Sequence, residues 1–154
     1  MAQYKGLRLS GDRSAFMQGF GNAINLYDKT ETITALLALS DTVDMIRLPG
    51  GMLLTELESW NPDLCTSGSL VVKVGYRKAN SQSSLATVDD AFGSSLSHFQ
   101  AIVLSSVRTK YVFEPLTFNE DVIVFATVTT AATGAAITTG TISTIARGIA
   151  RGIK

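Results

Sequence analysis

The chain has 154 residues, of which 45% are hydrophobic and 17% are charged, so it can bury a core of its own and is not disordered as a whole. Lysine plus arginine and aspartate plus glutamate number 13 each, and this balance lacks the basic excess typical of nucleic-acid-binding proteins. A single cysteine, Cys65, excludes an internal disulfide.

The charges are distributed unevenly along the chain. Residues 1–30 carry a net charge of +2, residues 31–121 carry −5 and residues 122–154 carry +3, so both ends are basic and the body is acidic. No apolar run of signal-peptide length occurs near the start. The uncharged stretch 122–146 contains eight threonines, and this β-branched composition favours strands over a membrane helix.

The first 30 residues are predicted to form an extended arm. They contain four glycines and scattered apolar side chains, without a period of two or 3.6. Such a segment has to bury its apolar groups either on its own domain or on a neighbouring subunit, and the sequence leaves both alternatives open. The arm residues predicted to contact a partner are Leu7, Leu9, Phe16 and Phe20.

Four strands are predicted in the next part of the chain. They are Glu31–Leu39, Thr42–Leu48, Met52–Trp60 and Ser69–Arg77. The sequence Pro-Gly-Gly at residues 49–51 is a dense turn signal between the second and third of them. Residues 79–110 then interrupt the series, because Asp89 and Asp90 supply a helix N-cap, and Leu96 with Phe99 indicates an amphipathic turn. The sequence therefore predicts a short helical insertion there.

The centre of the sheet is predicted at residues 120–130. On this strand Val122, Val124, Ala126 and Val128 share one face, and the other face turns polar toward Thr130. The β-rich run at residues 111–118 is joined to it by a short polar link, which predicts a hairpin. A last strand is predicted at Ile137–Ile145.

Residues 147–154 are predicted to be a basic tail. The tail holds Arg147, Arg151 and Lys154, and no acidic residue follows residue 121. These three side chains are therefore expected to find acidic partners outside their own strand ladder, on a neighbouring subunit or on another protein; the alternative is that the tail folds back on its own domain.

Seven or eight short strands with turn-rich links and no alternating helices predict an all-β fold, an antiparallel β-sandwich of the jelly-roll type. The predicted organisation is an extended arm at residues 1–30, a sandwich domain at residues 31–146 and a basic tail at residues 147–154.

The residue types that carry catalysis are few and isolated. His98 is the single histidine and lies beside Phe99, so a surface or interface role is favoured over general-base catalysis or a multi-histidine metal site. No basic residue lies near Cys65 to lower its pKa. Glu56 and Glu58 fall on one strand face roughly 7 Å apart, where a solvated face is a simpler interpretation than a glycosidase pair. No catalytic residue, metal or cofactor is predicted.

Several features follow one another in a characteristic order. They are an N-terminal arm, a strand run from Ile33 to Gly51, Val-Gly-Tyr at residues 74–76, Asp-Asp-Ala-Phe-Gly at residues 89–93, and Thr-Phe-Asn leading into the strand at residues 117–130. This order resembles the capsid cement, or decoration, proteins of tailed bacteriophages. The resemblance spans about residues 30–145. The Ile-Ala-Arg-Gly repeat in the tail departs from the family pattern.

The resemblance implies a non-enzymatic β-sandwich, made in the host cytoplasm, that binds the outer surface of an icosahedral capsid as a homo-oligomer, a trimer or a dimer. It implies that the partner is the major capsid protein, whose neighbouring subunits are bridged so that the shell resists the pressure of packaged DNA. No nucleic acid, membrane or cofactor is implied. The alternative is a carbohydrate- or receptor-binding module of a phage fibre or tail, which exposed aromatic platforms would favour, although Trp60 is the only tryptophan.

Overall fold

The computed structural model describes residues 3–4, 22–65, 69–99, 107–132 and 139–151. In these ranges the regular secondary structure consists of ten β-strands and no helix. The strands are β1 (Gln3–Tyr4), β2 (Ala23–Lys29), β3 (Thr42–Leu48), β4 (Met52–Asn61), β5 (Val71–Lys78), β6 (Val88–Leu96), β7 (Val107–Lys110), β8 (Leu116–Thr117), β9 (Val122–Thr130) and β10 (Ser143–Ala150).

Two sheets pack face to face with the hydrophobic core between them. The first sheet has the order β1-β3-β9-β5-β6, and the second has the order β2-β10-β4-β7, with β8 also paired to β4. Each described pair is antiparallel except the short parallel pair β1–β3. The predicted all-β antiparallel sandwich is therefore confirmed, while jelly-roll topology stays a prediction.

Strand β9 lies in the middle of the first sheet, between β3 and β5, as the sequence predicts. Its inward residues Val122, Val124, Ala126 and Val128 are all buried. Phe125 on the opposite face is also buried, whereas Thr129 is exposed. The strand is thus covered on both faces at its start and on one face at its end, which is the predicted pattern.

The predicted hairpin between residues 111–118 and β9 is wrong, because the chain changes sheets between them. Strand β8 pairs with Leu53 and Leu54 of β4, in the second sheet. The link into β9 then lies against the turn that joins β3 to β4, where Gly50 N–H donates to Asp121 Oδ1 at 2.8 Å. Two crossing loops hold each other in place, and a purely local hairpin signal does not detect such a contact.

The predicted helical insertion is also wrong for residues 88–96, which form β6 on the edge of the first sheet. The backbone N–H and C=O groups of β5 on the side away from β9 need hydrogen-bond partners, and β6 supplies them. The register between β5 and β6 shifts at two places. Asp89, predicted as part of a helix cap, instead forms an ion pair with Lys73 on β5. Phe92 is buried in the core.

Described strands extend beyond both ends of the predicted sandwich domain, residues 31–146. Strand β2 lies within the predicted arm, and its residues alternate between exposed and buried, with Ile24 and Leu26 in the core. Strand β10 extends through residue 150, well into the predicted tail, and is an interior strand because it pairs with both β2 and β4. The predicted strand Glu31–Leu39 is a loop with one bridge, Ile33 to Gly140. The predicted strand Ile137–Ile145 overlaps β10 from Ser143, and part of it lies outside the described residues.

A bulge in β4 decides which side chains the second sheet presents to solvent. Arg147 pairs with Glu56 and Gly148 pairs with Leu54, so Thr55 is the extra residue. Met52 and Leu54 face the core before the bulge, whereas Leu57 and Ser59 face it afterwards. The neighbouring strands β10 and β4 approach closely here, since a Cβ on Gly148 would lie 2.2 Å from the Leu53 carbonyl oxygen.

Candidate interaction surface

The outward residues of the second sheet form four rows across its strands, and we call this surface the basic face. The strand registers place side by side Lys29, Ser143, Trp60 and Arg108 in the first row; Tyr27, Ile145, Glu58 and Lys110 in the second; Asn25, Arg147 and Glu56 in the third; and Ala23, Ile149, Leu53 and Thr117 in the fourth.

An ion-pair network occupies the centre of the basic face. Arg147 Nη1 lies 2.8 Å from Glu56 Oε2 and 3.8 Å from Glu58 Oε2, and Arg108 Nη2 lies 2.7 Å from Glu58 Oε2. Lys110 Nζ lies 3.4 Å from Glu56 Oε1. The hydrogen bonds from Arg147 and Lys110 lower the pKa of Glu56 below its ordinary value. The network keeps the Glu56 carboxylate ionised and holds the cations beside both glutamates.

Aromatic and aliphatic side chains surround this network. The guanidinium of Arg108 lies over the Trp60 ring at 5.2 Å from its centroid. Tyr27 and Ile149 are exposed by 42% and 44%, and the Tyr27 hydroxyl donates to Ser143 Oγ at 3.3 Å. Tryptophan, tyrosine and arginine around a compact patch are the composition typical of protein–protein contact surfaces.

The structure describes two of the predicted contact residues. Arg147 is on β10, where Glu56 faces it from the neighbouring strand β4, and its predicted contact with another protein stays a prediction. Arg151 follows β10, and its backbone N–H donates to the Gly51 carbonyl at 2.7 Å while the residue is exposed. The other predicted contacts lie outside the described residues; they are Leu7, Leu9, Phe16, Phe20 and Lys154.

Tyr27 and Lys29 are not predicted as surface residues, because they fall in the segment 1–30, which shows no sustained period. The sequence signal is short, since only Ile24 and Leu26 are apolar among the three residues that the structure buries on this strand. Glycines and apolar residues upstream masked this short run of period two. Arg108 falls in the predicted insertion at residues 79–110, whereas in the structure it lies on β7 opposite Trp60.

The outer face of the first sheet differs from the basic face in charge. Here each cation has one carboxylate: Arg77 pairs with Asp44, Arg47 with Asp121 and Lys73 with Asp89. The ion pair with Lys73 lowers the pKa of Asp89. Asp44 also accepts a hydrogen bond from Gln3, and its side chain is only 3% exposed. This surface, which we call the paired face, is balanced in charge.

His98 belongs to a buried hydrogen-bonded chain rather than to the surface. The Tyr111 hydroxyl lies 2.9 Å from both His98 Nε2 and Ser59 Oγ. The Asn61 side-chain amide donates to the His98 carbonyl at 2.9 Å. Burial lowers the pKa of His98 to about 4 and raises the pKa of Tyr111. Both groups are therefore neutral near pH 7, and their contacts join β4 to the segments that follow β6 and β7.

The remaining candidates for chemistry also have structural contacts. Cys65 is buried, and its backbone N–H donates to Asp63 Oδ1. Glu56 and Glu58, the pair considered for glycoside hydrolysis, are bound by arginine side chains. Within the described ranges no group of three or more His, Cys, Asp and Glu residues is placed to hold a metal. The same ranges contain no helix long and apolar enough to cross a membrane.

Two solved structures share this fold. A chain in the capsid of Ralstonia phage GP4 matches with a TM-score of 0.68 and 18% identity, over 99% of this chain and 100% of its own length. A chain in the capsid asymmetric unit of cyanophage Pam1 matches with a TM-score of 0.59 and 22% identity, over 90% of this chain and 93% of its own. Neither a family model nor a curated protein matches the sequence. At these identities the likeness shows a common fold, and it covers the chains nearly from end to end.

Proposed function

We propose that this protein is a non-enzymatic structural component of a phage virion. In this proposal it binds the outer surface of the icosahedral capsid as a homo-oligomer, a trimer or a dimer. It bridges neighbouring subunits of the major capsid protein and stabilises the shell against the pressure of packaged DNA. It is made in the host cytoplasm and acts without a cofactor.

The end-to-end match to a chain of the GP4 capsid carries the proposal. Coverage of 99% of this chain and 100% of the other means that the matching polypeptide has a similar size and the same boundaries. A chain of that capsid is therefore matched over its whole length by a sandwich of this size. A small sandwich in a capsid fits the role of an added component, which the order of sequence features also indicates.

The placement of the reactive side chains supports a structural role. His98 is neutral and hydrogen-bonded to Tyr111, and Cys65 is buried. Glu56 and Glu58 are engaged by Arg108, Lys110 and Arg147 on an open sheet face rather than in a cleft. These contacts serve folding and surface shape.

The chain ends are proposed to contribute contacts to neighbouring subunits. The residues proposed for these contacts are Leu7, Leu9, Phe16, Phe20, Arg151 and Lys154. Because β2 belongs to the second sheet, a test of the arm removes residues 1–21, including the two-residue edge strand β1, and leaves Ala23–Lys29 intact. The truncated protein is expected to fold and to lose shell binding. Wild-type binding by the truncated protein would contradict a role for the arm.

A shell-stability assay tests the proposed function. Particles with and without the protein are heated or diluted rapidly from high osmolarity, and DNA release is followed with an intercalating dye. Particles without the protein are expected to release DNA at a lower temperature, and adding the purified protein back should restore the wild-type value. Identical release curves for both particles would contradict stabilisation of the shell.

The alternative, a carbohydrate- or receptor-binding module, has less support from the described aromatic residues. The ring of Trp60 is covered by Arg108, and Tyr111 is buried, so neither offers an open stacking platform. A glycan array separates the two functions: specific binding of a glycan would favour the alternative, whereas no binding together with shell binding would favour the capsid role.

A further inference from the structure

We propose that the basic face is the surface that docks onto the capsid, and that its partner is an acidic, partly apolar patch of the shell protein. This inference rests on the proposed function and adds to it a binding surface and the chemistry of the partner. Three features of the second sheet support it: its net positive charge, its exposed apolar side chains and the arginines that are already held in place before binding.

The basic face carries more positive than negative side chains. The rows of the basic face contain four basic side chains, Lys29, Arg108, Lys110 and Arg147, against the two carboxylates of Glu56 and Glu58. On the paired face each described cation is matched by one carboxylate. The two sides of the sandwich therefore differ, and the basic face is the side with uncompensated positive charge. An acidic surface is its complementary partner.

The basic face also exposes apolar side chains. Tyr27 and Ile149 are each more than two-fifths exposed, and they lie on neighbouring strands beside the ion-pair network, Tyr27 in the second row and Ile149 in the fourth. Ile149 is flanked in its row by Ala23 and Leu53. These side chains supply area that a partner buries, while the charges fix its orientation.

Arg108 and Arg147 are held in position by contacts within the sheet before any partner binds. Arg147 is fixed by Glu56, and Arg108 is fixed between the Glu58 carboxylate and the Trp60 ring. The carboxylate of Glu58 is itself only 4% exposed, so the position of the pair is set by the sheet. Side chains that are already ordered lose little conformational entropy when a partner binds them.

A second copy of this chain is a poorer partner for the same face. In a two-fold dimer each residue patch meets its own equivalent, so the uncompensated charges of two basic faces would repel each other. An acidic surface on a different protein avoids this repulsion. The proposed homo-oligomer is then expected to use other surfaces.

Two variants test the docking surface, each with a control elsewhere on the sandwich. Lys29→Glu reverses an exposed charge on the basic face, and Thr129→Glu introduces the same carboxylate at an exposed position on the first sheet. Ile149→Ser removes an exposed apolar group, and Leu39→Ser does the same at a turn where Leu39 is 62% exposed. Thermal melts check that all four proteins fold. The probe is the phage's own DNA-filled shell prepared without this protein.

Lys29→Glu and Ile149→Ser are each expected to weaken shell binding by about tenfold, whereas both controls bind within about twofold of wild type. Wild-type binding should also weaken as NaCl rises from about 0.05 M to about 0.5 M, because the attraction is screened. Equal binding by the face variants and wild type would overturn the inference. So would a change of oligomer size caused by either face variant, which would assign this face to a second copy.

The outcome also separates this inference from the proposed function. If wild-type protein fails to bind shells at any salt concentration, the proposed function itself fails. If wild type binds and the controls on the first sheet or at the turn lose affinity instead, the protein is a capsid component that docks by a different surface.

Discussion

Replacing Tyr111 by phenylalanine tests whether the buried hydrogen-bonded chain stabilises the fold. The ring is 4% exposed, so Tyr111→Phe preserves packing and removes only the hydroxyl. That hydroxyl is 2.9 Å from Ser59 Oγ and 2.9 Å from His98 Nε2. Two hydrogen bonds are lost, and the Ser59 oxygen, in a residue with no exposed area, is left without this partner.

The magnitude follows from those contacts. Each buried hydrogen bond contributes about 1 kcal/mol, and an orphaned buried polar group adds a desolvation penalty, so the expected loss in unfolding free energy is about 2–3 kcal/mol. For a chain of this length, the loss corresponds to a melting temperature lower by about 5–10 °C. Tyr27→Phe is the matched control, because its hydroxyl bond to Ser143 is exposed and should change stability by less than about 0.5 kcal/mol.

The assay is urea unfolding of four variants: Tyr111→Phe, the control Tyr27→Phe, Ser59→Ala, and the double variant Tyr111→Phe/Ser59→Ala. The double variant removes both partners of one bond, so its loss should be smaller than the sum of the single losses by about 1 kcal/mol. A loss below about 0.5 kcal/mol for Tyr111→Phe, or strict additivity in the cycle, would refute the account of this chain of bonds.

Three further predictions concern stability. The folded pKa of His98 is about 4 and its ordinary value is 6.5, so between these pH values only the unfolded chain takes up this proton. The unfolding free energy should therefore fall by up to about 3 kcal/mol as the pH drops from 6.5 to 4. His98→Gln should flatten this pH dependence in urea titrations. Gly75→Ala places a Cβ 2.0 Å from the Val88 carbonyl oxygen and should cost about 3 kcal/mol or prevent folding, which a soluble variant with a wild-type melt would disprove. Glu58→Ala should cost about 2 kcal/mol in the same unfolding assay, more than Glu56→Ala, because Glu58 is the more buried carboxylate; the reverse order would contradict this.

The sequence predicts those strands whose residues alternate or are apolar on both faces. Thr42–Leu48 has the predicted bounds, and β9 has both the predicted position and the predicted faces. In these segments the local preference for strand agrees with burial in the core, so the pattern alone is sufficient.

The errors occur where pairing between distant segments decides the structure. Asp89 and Asp90 have helix-capping chemistry, but the open edge of β5 recruits their segment as β6. Strand β10 contains Arg147 and Gly148 in an irregular pattern and becomes an interior strand because β2 and β4 lie on either side of it. The bulge at Thr55 reverses the inward and outward positions of β4. Such long-range contacts leave little trace in local periodicity.

The same limit applies to the candidate surface. Arg147 was identified from the charge of the C-terminal segment, but its partner Glu56 is 91 residues away in sequence. Tyr27, Lys29 and Arg108 join the basic face only because β2, β10, β4 and β7 are neighbours in one sheet. The charge of each segment is visible in the sequence, whereas the surface they form depends on strand order.

The most direct test of the central claim is a cryo-microscopy comparison of particles assembled with and without this protein. The account predicts additional density for a β-sandwich on the outside of the shell, lying across the junction between neighbouring major capsid subunits with its second sheet toward the shell. Identical maps from the two preparations, or density for the protein only inside the shell or on the tail, would contradict the account.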